Sequence, residues 1–508
     1  MKKLLLIDLG DVRGELNEPL GIECISSRVI REGNIKVDIC WYSMIEANSF
    51  ENLLLYDFIG ISMNIGTLYR FEKIYNFLIK SKPNGAPLIL GGCIPTFAYK
   101  QLIERYDNIV CIYGEGEKAF YDLIHSFATE SCCITDKLLK IGNLAFKIND
   151  QMVITPKKSL NLELEDTVIR NTSILEYIKK NHGIVRLEGS RGCSWNRCSF
   201  CCVNAKYADP SWRGFSIDKI VKELIEISNM GFHAPYFTDE DFFGQNYNRA
   251  IELGNRIIDL KRQGKIKEDM NFFISILAAD AICEAGKKAL VVLKDAGLRE
   301  VFLGIESLEK EQLKRYNKKA SIDTNTKAIE FIDEIGLNID SGYILFDPEM
   351  SFEALGVNID YIGRLNLNKF DSRSLKRLRI QPLTTICDQL SSVIVDELDI
   401  NNLEYPYKFK DERVNKVYSE YKKWEDVYLK ESWKIQSASR GEINESLRYE
   451  LKLILGQIRD LDFDVINKIY VSVKEDIINI QDSEFMKTQQ ERKHRLIQNA
   501  FKLVNEYY

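Results

Sequence analysis

Leu187-Glu-Gly-Ser-Arg-Gly-Cys193-Ser-Trp-Asn-Arg-Cys198-Ser-Phe-Cys201-Cys202 gathers four of the chain's 12 cysteines into ten residues, directly after an extended segment. Thiolates at this density suit a soft metal centre, an iron-sulfur cluster or zinc. If Cys193, Cys198 and Cys201 each hold one iron of a four-iron cluster, the fourth iron has no protein ligand, and chemistry can take place there. Three other readings fit less well. Cysteines serving as small buried hydrophobes do not fall four to a loop. Structural zinc asks for a second ligand pair at ribbon or finger spacing, yet the next cysteine after Cys202 is Cys283 and the only histidine between them is His233. Cys202 could complete a tetrahedral site, but adjacent residues rarely point at one ion. A disulfide needs an oxidising compartment, and Met1-Lys-Lys runs into Leu4-Leu-Leu-Ile-Asp8, where charge returns too soon for a secretory signal. A reducing compartment is expected.

Working outward, extended stretches at 183–190, 234–241, 271–278, 300–307, 338–347 and 374–382 alternate with helical patterns. One such pattern, Ile217 to Met230, places apolar residues at 217, 220, 221, 224, 225 and 227. Six alternating units predict a parallel sheet with helices outside, a partial (βα)6 barrel. Working residues of such barrels sit at the C-terminal ends of strands. The cysteine loop follows the first strand, Asp239-Glu240-Asp241 ends the second, Gly304-Ile-Glu306-Ser307 the fourth and Asp347-Pro348 the fifth.

The pattern Gly-Cys-x4-Cys-x-Phe-Cys resembles the cluster loop of radical S-adenosylmethionine (radical SAM) enzymes, whose commonest form is Cys-x3-Cys-x2-Cys with an aromatic, here Phe200, before the last cysteine. The first gap is one residue longer in this chain. Gly-Ile-Glu-Ser and Phe-Thr-Asp-Glu-Asp-Phe-Phe-Gly are similar to radical SAM strand ends that contact the cofactor. The resemblance implies a 4Fe-4S cluster on Cys193, Cys198 and Cys201, with S-adenosylmethionine against Phe200, Asp239, Glu240, Ser275, Gly304, Glu306 and Ser307. A zwitterionic methionine and a ribose need carboxylates and close backbone approach. Single strand-end acids equally cap a following helix or solvate a rim, and a serine at 275 needs no special reason.

Residues 1–145 show the same alternation, with strands at Lys3–Leu9, Val37–Tyr42, Phe58–Met63, Leu88–Gly92 and Ile109–Tyr113 and helices such as Leu68–Lys80. This predicts a five-stranded doubly wound, Rossmann-like sheet, which binds ligands at the carboxyl ends of its strands. Those ends carry Gly10, Ser62, Gly66, Gly91, Gly92, Gly114, Glu115 and Gly116. Placed before a radical SAM barrel, with Ile-Leu-Gly-Gly and Tyr-Gly-Glu-Gly-Glu, this unit resembles the cobalamin-binding domain of cobalamin-dependent radical SAM enzymes. The resemblance spans about residues 1 to 395 and implies that these eight residues meet cobalamin. The chain's first histidine is His125, and the Asp-x-His-x-x-Gly motif that supplies an axial imidazole elsewhere is absent. The cobalt's lower face is therefore expected to carry water, nothing, or a side chain other than histidine.

Residues 146–182 read as a linker, 183–395 as the barrel, and 396–508 as a helical domain, Phe409–Tyr428 and Ile443–Tyr508 being charged and helical in period. The helical domain is expected to cap the barrel mouth. Lys376-Arg377-Leu-Arg379 could meet a substrate carboxylate or phosphate. In 508 residues with 45% hydrophobic content there is room for three compact units, and no apolar run approaches the ~18 residues of a membrane helix. A net charge of -6 disfavours a nucleic-acid footprint. A cytoplasmic enzyme without membrane or nucleic-acid partners is expected.

The resemblance implies a methyltransferase acting on an unactivated carbon of a natural product or peptide. Cleavage of S-adenosylmethionine would give a 5'-deoxyadenosyl radical, which takes a substrate hydrogen, and methylcobalamin would supply the methyl group. A non-methylating rearrangement or cyclisation with the same cofactors, and a non-catalytic cobalamin or redox sensor, are the alternatives. The implied partners are a small-molecule or peptide substrate and an electron donor such as flavodoxin or ferredoxin.

Overall fold

The computed structural model describes residues 1–10, 15–33, 35–83, 85–128, 134–367, 371–372, 375–477 and 480–507. Residue 374, at the head of the expected sixth barrel strand, and residues 478–479 and 508 of the helical tail lie outside them.

The first sheet has the order β2-β1-β3-β4-β5-β6-β7. β1 (Lys2–Asp8), β2 (Ile35–Trp41), β3 (Phe58–Ser62), β4 (Leu88–Gly91) and β5 (Ile109–Ile112) are parallel. Near-continuous apolar strands such as Leu4 to Leu9 must be covered on both faces. Helices Leu20–Glu32 and Glu117–Ala128 cover one face, Leu68–Ser81 and Cys93–Arg105 the other. The sheet does not stop at residue 145. β6 (Leu144–Ile148) and β7 (Gln151–Ile154) extend it antiparallel from β5, inside the stretch read as linker. Asn149 and Asp150, at φ 48° and 63°, form the two-residue turn between them, a hairpin signal in an otherwise polar stretch.

The second unit opens with β8 (Arg186–Leu187), followed by an antiparallel ribbon of β9 (Ser190–Arg191) and β10 (Arg213–Gly214) that pins both ends of the cysteine loop. β11 (Tyr236–Phe237), β12 (Phe272–Leu277), β13 (Leu298–Glu306) and β14 (Asn338–Phe346) continue from β8 as a parallel sheet. The single sixth strand expected over 374–382 is instead two short pieces on β14, β15 (Asp371–Ser372) and β16 (Lys376–Arg377). Beyond Arg377 the chain leaves the sheet because Leu378 and Ile380 are drawn into a separate cluster with Tyr316, Ile386 and Leu390. The helix Ile217–Asn229 shows why the alternation holds: Ser216 caps it by accepting from Lys219 N, and Ile220, Leu224 and Ile227 are fully buried against the strands.

Of the C-terminal helices expected to cap the barrel mouth, only the first, Glu412–Val427, packs at that end, with Tyr418 and Tyr421 against Phe346 at the close of β14; the later ones lie elsewhere. Arg440, ending the helix Leu429–Arg440, donates to Asp340 (2.8 Å) and Glu300 (3.4 Å), near the starts of β14 and β13. Lys452, in the helix Glu445–Lys474, also reaches Glu300 (2.6 Å), and Glu442 accepts from the backbone of His233 (3.0 Å) and Ala234 (2.9 Å), just before β11. These contacts close the N-terminal end of the barrel, opposite the cysteine loop. Among the described residues no helix is long and apolar enough to cross a membrane.

Candidate active site

The cysteine loop hangs from the acids that end β11. Asp241 accepts from Ser194 N (3.0 Å) and Ser194 Oγ (2.7 Å), Glu240 from Gly192 N (3.1 Å), and Asp239 from Gly189 N (2.9 Å) and Ser190 Oγ (2.5 Å). Gly192 has φ +83°, and a Cβ there would stand 2.2 Å from Ser211 O, so only glycine fits. A second segment straps the other side of the loop. Tyr316 O and Arg315 O accept from Ser199 N and Oγ (both 2.9 Å), and Trp195 Nε1 donates to Asn317 O (2.8 Å). Phe200 packs edge-on to Tyr316, ring centroids 5.1 Å apart, so it supports the loop from the strap side.

Burial pushes the thiols of Cys193, Cys198 and Cys201 up, Cys198 to about 11; Cys198 is raised further by the charge of Cys193, and Cys201 by those of Cys202, Cys198 and Cys193. Iron binding would deprotonate them, as metals do for cysteine ligands. Among the described residues no three acidic, cysteine or histidine side chains converge on one ion position. A four-iron cluster does not ask for that, since each thiolate takes a different iron, and the three-thiol donor set fits it. Cys202 turns the other way and packs against the core of the first sheet.

Facing the thiols at the end of β13 is Glu306, a non-glycine residue at φ +64° where the register with β14 shifts. Backbone strain of this kind gathers at functional sites. Its Oε1 lies 3.2 Å from Lys318 Nζ, and both side chains are about nine-tenths buried. Burial pulls Lys318 down, but Glu306 and the nearby Cys198 and Cys201 hold it above the ordinary lysine range. Gly304 makes room for this pair, since a Cβ there would stand 2.8 Å from Lys318 Nζ. Sequence reasoning missed Lys318, which no motif marks. Ser307 is fully buried and donates to Gln312 Oε1 (2.7 Å), while half-buried Ser275 offers its carbonyl to Phe242 N (2.9 Å). Asp347 is enclosed by Arg315 (2.8 Å) and Tyr316 (2.8 Å).

Between the two sheets lies a cleft of about 1110 Å³, its solvent-open part included. Ser62, Gly91, Gly92, Gly114, Glu115 and Gly116 line it from the first sheet, and Arg186, Glu188, Arg191, Lys206, Tyr207 and Thr238 from the barrel side. Its deep end is apolar, formed by Leu6, Ile22, Ile25, Ile89 and Phe120 around Gly60. Sequence reasoning missed that end. Its one signal is Gly60 in mid-strand, where a Cβ would meet Phe120 at 2.7 Å. Gly10 and Gly66 are not in the lining. Gly66 N instead donates to Asn401 O (2.7 Å), from a short hairpin that also sinks Leu403 into the first domain's core.

Glu115 faces the cleft but is taken up by arginines: Arg191 (3.0 Å) and Arg213 (3.2 Å). Arg191 also reaches Glu117 (2.5 Å) and Glu188 (2.9 Å), and the whole set is largely buried. Arg191 stands two residues before Cys193, so this ion cluster ties the first domain's Gly114-Glu-Gly-Glu117 turn to the root of the cysteine loop. The expected anion contact of Lys376, Arg377 and Arg379 is not available, because Lys376 pairs with Glu425, and Arg377 (2.8 Å) and Arg379 (3.3 Å) with Glu404.

The Radical SAM superfamily family model matches residues 187–353. The chain is 30% identical over 332 residues to the 4'-phospho-dehydrooxetanocin synthase of Priestia megaterium, spanning 61% of this chain and 43% of that protein. It thus spans less than half the length of that curated relative. The structure of the cobalamin-dependent S-adenosylmethionine radical enzyme OxsB, with aqua-cobalamin and S-adenosylmethionine bound, superposes with TM-score 0.78 at 20% identity over 100% of this chain and 79% of that one. The radical S-adenosylmethionine methyltransferase TsrM from Kitasatospora setae, with cobalamin and a [4Fe-4S] cluster, gives 0.62 at 17% identity over 78% and 77%. With the cysteine loop at the barrel mouth and the glycine-rich strand ends across the cleft, the chain contains a radical SAM domain and has the fold of the cobalamin-dependent radical SAM enzymes.

Proposed function

We propose that this protein is a cobalamin-dependent radical SAM methyltransferase acting on an unactivated carbon of a small molecule or peptide. One observation carries the reading: the cleft sets the glycine-rich ends of the first sheet opposite the flanks of the cysteine loop, Arg191 before it and Lys206 and Tyr207 after it. When bound, a 4Fe-4S cluster, S-adenosylmethionine and cobalamin supply reductive cleavage, a carbon-centred radical and a methyl carrier. The chain's own residues place and shield them. Cys193, Cys198 and Cys201 would hold the cluster. Glu306 and Lys318 offer a carboxylate and an ammonium beside it, suited to the ammonium and carboxylate of a methionine moiety. Gly91, Gly92, Gly114 and Gly116 let the backbone approach a large flat ligand, and the apolar end around Gly60 takes an uncharged ring. Asp239 and Glu240, spent on backbone donors and on Lys206 and Tyr207, would act on S-adenosylmethionine through the loop that they hold.

A second reading keeps the cofactors but not methyl transfer, and it is favoured by the likeness to a protein named a synthase. Product analysis separates the two. Reconstituted protein incubated with S-adenosylmethionine, cobalamin and reductant should form 5'-deoxyadenosine, and with substrate also S-adenosylhomocysteine. The first product without the second would leave the rearrangement reading standing, and neither would remove both.

A further inference from the structure

The outer side of the cysteine loop has a feature that holding a cluster does not require. Trp195 lies between the first two cysteines, and its ring is flanked by two cations, Arg197 and Lys319, each 5.6 Å from the ring centroid. Arg197, Lys314 and Lys319 are exposed. Among the described residues none of the three forms an ion pair, whereas most other basic residues around the loop do, Lys318 with Glu306 and Arg315 with Asp347 among them. The acid that Lys319 does feel, Asp280, is buried behind it and accepts from Tyr247 (2.8 Å). On a chain of net charge -6, an unneutralised basic rim around a half-buried tryptophan is a local arrangement that composition does not produce. Aromatic centres ringed by charge are what protein interfaces use.

We propose that Trp195, flanked by Arg197 and Lys319, with exposed Lys314 one helical turn from the Asn317 carbonyl that Trp195 bonds, is the docking face for a small acidic protein that carries one electron to the cluster. The proposal rests on the cluster reading above. Trp195 is bracketed in sequence by Cys193 and Cys198, so a carrier seated there has only this loop between its redox group and the cluster. With flavodoxin as the carrier, the anionic hydroquinone gives up one electron and becomes the neutral semiquinone, and the cluster gains that electron. An opposite charge on the partner speeds encounter and makes the rate fall with salt.

The test follows cluster reduction in the full-length reconstituted protein by two reductants of opposite charge. In R197E/K319E, reduction by flavodoxin hydroquinone at low salt should slow by about tenfold or more, while reduction by the methyl viologen radical cation should be no slower than in the parent. Unchanged flavodoxin rates in both R197E/K319E and K314E would overturn the proposal. If both reductants slow equally in the double variant, the loop itself is disturbed and K314E decides, a selective loss with flavodoxin supporting the docking face and none refuting it. A parent protein that assembles no cluster would remove the underlying reading, and the docking face with it.

Discussion

Asp239 is 3% exposed, and despite two hydrogen-bond donors its burial pushes the carboxyl up to about 7. A carboxyl whose folded pKa exceeds its unfolded value, near 4, binds more protons folded than unfolded. Its stabilising contribution is therefore full below about pH 4 and is lost as pH rises through about 7. Asp280 is raised in the same way, also to about 7, by burial and then by Asp241. Cluster-free protein should lose stability between pH 5 and 7, by at most about 1.4 kcal/mol per pH unit for each group. D239N should show the shallower slope in urea midpoints across that range, with Asp280 supplying the remainder. An unchanged slope would mean that Asp239 is already ionised at pH 5. The sequence marks this residue as a strand-end acid and gives no sign of its partners, because Gly189 and Ser190 lie some fifty positions away and meet it only through the β8–β11 pairing.

Among elements, the cysteine loop was the most legible, since its spacing carries its chemistry. What spacing does not convey is support. The loop is held from two sides, by Asp239 to Asp241 and by the strap Arg315 to Asn317, and only the first was visible as a motif. C193A, C198A or C201A should each lose most of the bound iron and abolish 5'-deoxyadenosine formation, because each removes one thiolate from a three-thiolate set. C202A should keep its iron, since Cys202 faces the first sheet's core. Iron analysis of the four variants separates the roles, and loss of a quarter of the iron in C202A would contradict the assignment. The strands were legible as a count but not in length. β8 and β11 are two residues each where eight were expected, because their flanks bond to side chains such as Asp239 and leave the ladder.

At the scale of the whole molecule, the order of sheet, barrel and helices follows from alternation and composition. The position of the helices does not. Arg440, Glu442 and Lys452 meet strand starts more than a hundred residues away, and the charge pattern that predicts a solvated helix does not say which barrel end it covers. The joint between the two sheets was equally hidden, because Glu115 reads as a ligand-facing acid until Arg191 is found against it. R191M would leave Glu115, Glu117 and Glu188 facing one another with their shared cation gone. A loss of about 3–5 kcal/mol is expected, as when one partner of a buried ion set is removed, together with faster proteolysis between the sheets. Parent-like resistance and melting would show that the joint is held elsewhere.

The hairpin around Asn401 fastens the segment after the barrel to the first domain. Leu403 is 1% exposed inside the first domain, although it belongs to the segment that follows the barrel. Parting the two domains on that side withdraws it, at about 1.5–3 kcal/mol for the side chain alone, and breaks the Asn401 bonds to Gly66 and Leu68 as well. The Asn401–Leu68 contact joins positions 333 residues apart, so it needs both stretches of chain in place. A guest too large to pass while the two domains stay joined would then leave no faster than this joint opens, whatever its own affinity.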